Sequence, residues 1–364
     1  MKIPRAIQCS KAIAEAVRLC KPEVIAAYPI TPQTLIVEEL AKMHADGKLQ
    51  AEFINVESEH SALSICIGAE ATGCRTFTAT SSQGLALMHE MLFIASGLRL
   101  PIVMVTVNRA LSAPLNIWCD HSDTMASRDS GWIQLYCESV QEAHDTVLQA
   151  YKIAEQVLLP VMVCIDGFTL SHVSENVELL NEKQVSSFLP TYKPNYILDP
   201  KKPVTMGSVA FPDNYWKFKV QQQNAMKQAL EVIKKVNSEF KEKFYRVYGN
   251  GLIETFNMQD TNQAVIALGS QCSTIKHVLQ GQKTKKVGLI RIKSFRPFPK
   301  KELQTACKNL KRIDVIDRAI SLGSHAPLYT EVKAILQDNV KINSHILGLG
   351  GQDITPRMIK KLIK

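Results

Sequence analysis

Residues 76–109 read TFTATSSQGLALMHEMLFIASGLRLPIVMVTVNR, a β-branched run, a longer helical pattern and a second apolar run. The same alternation extends both ways. Upstream stand VIAAYPI (24–30) as a strand, TPQTLIVEELAKMHADG (31–47) as a helix, EFINVE (52–57) as a strand and SEHSALSICIGAEATG (58–73) as a helix. Downstream, ESVQEAHDTVLQAYKIAEQ (138–156) is helical and PVMVCIDG (160–167) is a strand. Continuous apolar strands separated by helices predict a parallel sheet covered on both faces, an α/β fold. The rhythm breaks from about residue 171. A proline-rich segment and a polar helix (QQQNAMKQALEVIKKVNSEFKEKF, 221–244) read as a connector packed on the first domain, because a free linker of that length is unusual. QAVIALGS, KVGLIRIKSFRPFP, RIDVIDRA and INSHILGLGG then predict a second, smaller α/β domain. The boundaries are 1–250, with the connector from about 171, and 260–364.

The chain has 364 residues, enough for two domains, with 46% apolar and 21% charged residues. These values exclude disorder, collagen and coiled coil. No apolar run reaches the ~18–20 residues of a membrane span, and the first residues lack a signal-peptide pattern, so a cytoplasmic protein is expected. The nine cysteines stand singly without a C-x-x-C, which denies the chain a cluster or zinc knuckle of its own. Net charge is 43 − 34 = +9 and is unevenly spread. Residues 271–312 hold 12 basic residues against Glu302 alone. They read as a solvated basic face or as a docking surface for an acidic partner or a phosphate-bearing ligand. Nucleic acid is not expected, since interleaved aromatics and a known motif are missing.

Ligands of parallel sheets bind beyond the carboxyl ends of the strands. At those ends stand Thr31 followed by Pro32, then Glu57 and Glu59, Ser81 and Ser82, and Asn108 and Arg109. Each has an ordinary reading. Thr31 can cap a helix with Pro32 as its first residue, and Glu59 can favour a helix dipole. Ser81 and Ser82 can be turn residues, and Arg109 can pair with Asp120 or Asp123. Convergence favours function: four polar side chains at four successive strand ends line one crevice, where a carboxylate and an arginine suit a cationic heterocycle and an anionic substrate. The run Asp120-His121-Ser122-Asp123 fits no standard zinc spacing, so no metal ligand is assigned to this chain. Phosphate loops and a G-x-S-x-G elbow are absent, and GLGG (348–351) reads as a turn before a helix starting at Thr355-Pro356.

YPITPQT (28–34), NVESEHSA (55–62), TSSQGL (80–85) and NRALSAPLNIWCDHSDTMASRDSGWIQLY (108–136) resemble the α subunit of 2-oxoacid:ferredoxin oxidoreductases, the pyruvate enzyme most closely. IKSFRPFP (292–299), IDRAISLGSHAPLYTEV (316–332) and GLGGQDITP (348–356) extend the resemblance over almost the whole chain, although Ser324 and His325 replace a more glycine-rich segment. The resemblance implies a pyrimidine-side thiamine diphosphate domain followed by a transketolase C-terminal-like domain. It implies oxidative decarboxylation of pyruvate to acetyl-coenzyme A and CO₂, with electrons passing to ferredoxin or flavodoxin. Branched-chain 2-oxoacids or 2-oxoglutarate are alternative substrates; a transketolase-like carboligase and a non-catalytic scaffold are rival functions. With no G-D-G motif, Mg²⁺ and the 4Fe–4S clusters are expected on a β subunit and on ferredoxin-like γ and δ subunits.

On the same resemblance, Glu59 bonds the aminopyrimidine ring nitrogen and promotes proton loss from the thiazolium carbon. Thr31 and Arg109 hold the substrate, the guanidinium pairing with its carboxylate. Pro29, Ile30 and Ser82 join Glu59 on the cofactor side. Roles for Ser81, Asn116 and Asp120 beyond shaping the pocket are not assigned.

Overall fold

The computed structural model describes residues 5–281, 287–336 and 340–363; Lys283, Lys285 and Lys286 of the basic stretch lie outside the described residues. In chain order the elements are β1 (Arg5–Gln8), α1 (Cys9–Cys20), β2 (Val24–Ala27), α2 (Thr34–Ala45), β3 (Glu52–Asn55), α3 (Glu59–Ala71), β4 (Thr76–Thr80), α4 (Ser82–Leu87), α5 (His89–Gly97) and β5 (Val103–Asn108). They continue with α6 (Ser122–Ala126), β6 (Ile133–Tyr136), α7 (Val140–Val157), β7 (Val161–Asp166), β8 (Ser174–Val177), α8 (Glu182–Phe188) and α9 (Pro212–Phe244). The last part comprises β9 (Ile253–Phe256), β10 (Gln263–Ala267), α10 (Gln271–Gln280), β11 (Val287–Ile292), β12 (Ser294–Arg296), α11 (Lys300–Cys307), β13 (Arg312–Asp317), α12 (Pro327–Leu336), β14 (Lys341–Ile346) and α13 (Pro356–Leu362).

The larger sheet has the order β12-β6-β7-β5-β4-β2-β3. All its pairings are parallel except β12 on β6. β5 and β7 are buried along their whole length, which is why they read as unbroken apolar runs. The chain passes from β2 out to β3 and returns to β4 on the other side of β2, a topological switch point. The carboxyl ends of β2, β3, β4 and β5 therefore share one edge. The second sheet, β14-β13-β10-β11-β9, is parallel apart from β9.

Several expectations change. The strand expected over 24–30 ends at Ala27, and the helix expected from Thr31 begins at Thr34 with Gln33 as its cap residue. Thr31-Pro32 belongs to a turn, in which the Gln33 and Thr34 amides donate to the Ile30 carbonyl. The Gln33 side chain overrides the local Thr-Pro signal by donating to the Ala79 carbonyl of β4 at 2.8 Å. The helix expected over 83–99 breaks at Met88 into α4 and α5. KVGLIRIKSFRPFP is two strands in two sheets: β11 lies in the second, and β12 crosses to the first. Phe295 of β12 is fully buried at this crossing and packs edge-on to Tyr136 and Phe298. Such burial contributes roughly 1.5–3 kcal/mol. Helix α9 begins at Pro212, whose missing N–H costs nothing in a first turn, and lays Ala225, Ala229, Ile233, Val236 and Phe240 into the first domain's core.

The described part of the basic stretch divides: Lys300, Lys301, Lys308 and Lys311 are exposed, whereas Arg291 and Lys293 are buried and Lys276, Arg296 and Arg312 are half-buried in ion pairs. Arg291, 1% exposed, donates from Nη1 and Nη2 to Glu142 of α7 at 2.6 and 2.9 Å and from Nε to Glu254 at 2.9 Å. Lys293 pairs with Glu142 at 2.9 Å, and Lys276 pairs with Glu138 and Glu254. Burial alone would raise the Glu142 carboxyl, but Arg291 and Lys293 outweigh it and hold the group at about 2. Arg296 and Arg312 pair with Glu331 and Asp314. Among the described residues, no helix is long and apolar enough to cross a membrane.

Candidate active site

Four loops converge at the shared strand edge. Helix α3 starts just beyond β3, with Ser58 as its cap: the Ser58 hydroxyl oxygen accepts the Ser61 amide at 3.2 Å. Glu57 is exposed and accepts the Ser61 hydroxyl, whereas Glu59 on the first turn is only 6% exposed. No hydrogen bond or ion pair engages the Glu59 carboxylate among the described residues. A buried carboxylate usually carries a partner, so one without any is the most informative group here. Its space is preserved by Gly84 of α4: a Cβ there would lie 2.6 Å from Glu59 Oε1 and 2.8 Å from Glu59 Cγ. The carboxylate thus sits in a cradle that any other residue at 84 would fill.

Arg109 follows β5 and is 6% exposed. Its Nε donates to the Asn116 carbonyl at 2.8 Å and its Nη1 to the Thr31 carbonyl at 2.9 Å. Burial lowers its proton affinity, opposed by the Asp123 charge. Neither Asp120 nor Asp123 forms an ion pair with the guanidinium among the described residues, so the structural pairing weighed from the sequence is not found. Asp123 accepts the Arg109 backbone amide at 3.0 Å, and Asp120 accepts the Ser122 amide at 2.9 Å. The Nη2 end of the fork has no acceptor among the described residues. Thr31, exposed, joins Arg109 through its carbonyl, and the neighbouring Pro29 is exposed and Ile30 half-buried.

Ser82 is fully buried; its hydroxyl lies 2.6 Å from the Ala110 carbonyl and 2.7 Å from Gln83 Oε1, contacts that tie the start of α4 to the loop after β5. Ser81 is also fully buried, at the cap position of α4, and its hydroxyl has no partner among the described residues.

The organiser of this region is Asp123. It accepts the backbone amides of Ser82 and Arg109, both at 3.0 Å, and the Asn108 side-chain amide at 2.8 Å. Burial pushes its carboxyl up to about 6, against the lowering effect of these bonds. Asn108 also donates to Thr124 Oγ1, which meets the Tyr136 hydroxyl at 2.7 Å. Sequence reading placed Asp123 only as a possible partner of Arg109 and gave Gly84 and Gln33 no role. A glycine inside a helical pattern was the available signal for a close approach at 84.

Cys119, His121 and Asp166 offer ligand atoms within 4.8 Å of one another. Their chemistry does not suit a metal. His121 Nε2 bonds Asp166 at 2.7 Å, Arg318 donates to the same carboxylate at 2.8 Å, and burial raises the Cys119 thiol. The group closes the seam between the two sheets.

Residues 15–238 match the family model described as pyruvate flavodoxin/ferredoxin oxidoreductase, thiamine diphosphate-binding, and residues 261–359 match pyruvate:ferredoxin oxidoreductase core domain II. The chain is 54% identical to pyruvate synthase subunit PorA of Methanocaldococcus jannaschii, over 99% of this chain and 94% of that protein. It is 49% identical to the subunit of the same name from Thermotoga maritima (98% and 92% covered). Identity is 44% to ketoisovalerate oxidoreductase subunit VorA of Pyrococcus horikoshii (99% and 93% covered). In fold, the chain resembles the 2-oxoglutarate:ferredoxin oxidoreductase of Magnetococcus marinus, with a TM-score of 0.75 and 19% identity; it is covered entirely and spans 66% of that chain.

Proposed function

The chain belongs to the pyruvate flavodoxin/ferredoxin oxidoreductase family, and on that premise we propose that it is the subunit supplying the pyrimidine side of a thiamine diphosphate site in a pyruvate:ferredoxin oxidoreductase complex. The complex converts pyruvate and coenzyme A to acetyl-coenzyme A and CO₂ and passes the electrons to ferredoxin. The observation that carries this reading is Glu59, a nearly buried carboxylate with no partner among the described residues and a glycine keeping its surroundings clear.

Thiamine diphosphate supplies the electron sink for the bond that releases CO₂. Glu59 is suited to a hydrogen bond with a pyrimidine ring nitrogen, holding or yielding a proton at its carboxylate. Arg109 is anchored from behind by two backbone carbonyls, which fixes its plane and leaves the Nη2 end for a substrate carboxylate. That anchoring limits the freedom lost on binding. In this reading the Thr31 hydroxyl bonds the same substrate, and Pro29 and Ile30 border the cofactor side. Asp123 holds the Ser82 and Arg109 loops in register.

The chain has no G-D-G and no C-x-x-C. That supports assigning Mg²⁺ and the iron–sulfur clusters to β, γ and δ partner subunits. The similarity to a ketoisovalerate oxidoreductase subunit keeps a branched-chain 2-oxoacid as the second reading. Ferredoxin reduction by the purified complex, assayed with coenzyme A and either pyruvate or 2-ketoisovalerate, tests both. A higher kcat/KM for pyruvate is expected; preference for 2-ketoisovalerate selects the second reading, and activity with no 2-oxoacid overturns the first and second alike.

A further inference from the structure

The glycine run 348–351 lies beyond β14, in the second sheet's half of the chain, and nothing above gives it a task. Its backbone grips the loop that carries Arg109. The Gly350 carbonyl accepts the Asn116 side-chain amide at 3.1 Å, the Gly350 amide donates to Asp120 Oδ2 at 3.1 Å, and the Gly351 amide donates to the Cys119 carbonyl at 2.7 Å. The Asn116 amide has one orientation, because its Oδ1 accepts the Trp118 amide at 2.7 Å and only Nδ2 remains for Gly350. The carbonyl of Asn116 is in turn the acceptor for Arg109 Nε.

The approach requires glycine. Gly350 and Gly351 have φ of +55° and +86°, the region disfavoured for other residues. A Cβ on Gly350 would stand 2.6 Å from Asn116 Nδ2, and one on Gly351 would stand 2.2 Å from Trp118 Cβ. The first conflict meets the end of a side chain that can move; the second meets an atom next to the backbone.

We propose that the 348–351 loop is a positioning element for Arg109, acting through Asn116, so that the second domain sets the grip on the substrate carboxylate. This rests on the reading of Arg109 as the substrate arginine. The relay is two hydrogen bonds long, Gly350 to Asn116 and Asn116 to Arg109. A shift that moves the Asn116 backbone carbonyl together with its side chain is felt at Arg109 Nε.

The test is kinetic, in the assembled complex. Gly350→Ala is expected to lower kcat/KM for pyruvate by on the order of 10- to 10²-fold, mainly through KM, because misplacement of about 1 Å has effects of this size. KM for coenzyme A and the amount of bound thiamine diphosphate stay at wild-type values. Asn116→Ala behaves alike. In an Arg109→Lys background, Gly350→Ala adds little further loss, the non-additivity expected of groups acting through one another.

Gly323→Ala is the control for backbone strain alone: its φ is +77° and nothing lies within 4 Å of an added Cβ. It is expected to lower thermal stability while leaving the pyruvate KM unchanged. The inference is overturned if Gly350→Ala matches that control, or if its loss adds in full to that of Arg109→Lys. If Arg109→Lys itself leaves the pyruvate KM unchanged, the assignment of Arg109 falls and takes the inference with it. If Arg109→Lys raises the KM and Gly350→Ala does not, only the inference falls.

Discussion

Among the regions of this molecule that bury charge, two treat it in opposite ways. In the seam between the sheets buried charges meet their complements: Glu142 with Arg291 and Lys293, Asp166 with Arg318, His121 and Ser270. In the crevice at the ends of β2–β5, Glu59 has no complement among the described residues and Arg109 is engaged by neutral carbonyls. The seam ties the two halves of the chain together. An unpaired charge that is almost out of water costs stability, and its retention at the crevice is intelligible when a ligand completes it. Burial alone therefore does not mark a functional residue; at the crevice the distinguishing feature is a carboxylate with no partner among the described residues.

The largest expected effect breaks the crevice side. Glu59→Gln in the assembled complex should reduce pyruvate-dependent ferredoxin reduction by ~10²–10⁴-fold, the range for loss of a positioned acid–base group. Because it removes an unpaired buried charge, the unfolding temperature should hold or rise. A fall in stability with turnover retained would put Glu59 among the structural charges.

The seam should respond the other way. Glu142→Gln leaves Arg291 and Lys293 short of a counter-charge, and breaking such a pair costs about 3–5 kcal/mol. The urea midpoint of the isolated chain should drop clearly, while kcat/KM of complex that assembles stays near wild type. A catalytic loss without destabilisation would erase the contrast between the regions.

Arg109→Lys sharpens it. Lysine keeps the charge but not the planar fork, so kcat/KM for pyruvate should fall about 10²-fold with thiamine binding preserved. Since the guanidinium has no ion-pair partner among the described residues, only a small shift in unfolding temperature accompanies that loss.

The smallest effect lies on the boundary between the regions, at Asp123. Its carboxyl sits near 6 in the folded chain, above the ~3.9 of an unfolded one. Between pH 6 and 4 the folded chain takes up a proton that the unfolded chain does not, so this group adds stability as pH falls through 6. The neutral carboxyl is a weaker acceptor for the Ser82 and Arg109 amides. Activity should thus decline severalfold below about pH 6 without a matching loss of stability from this group, and Asp123→Asn should flatten that limb.

How much of this was legible depends on where each residue finds its partner. β5 and β7 were plain because burial on both faces leaves continuous β-branched runs. β9, the β1–β8 pair and the crossing of β12 were not: these short antiparallel elements depend on neighbours far along the chain. The Thr31-Pro32 helix start was misread because Gln33 is held by Ala79, 46 residues away. That Arg291 and Lys293 leave the basic surface for the interior was hidden because Glu142, 149 residues from Arg291, is invisible to a local count. Glu59, Thr31 and Arg109 stood out since strand ends of a parallel sheet converge by topology. The clamp at Asp123 and the grip of Gly350 on Asn116, 234 residues apart, carry no local signal.

If Glu59 is held unpartnered for a cofactor, hydrogen–deuterium exchange at the thiazolium carbon of thiamine diphosphate in the assembled complex shows it most directly. Glu59→Gln should slow that exchange by ~10²–10⁴-fold with the same amount of cofactor bound. An exchange rate equal to that of the wild-type complex would contradict it and leave Glu59 as a residue of the helix start.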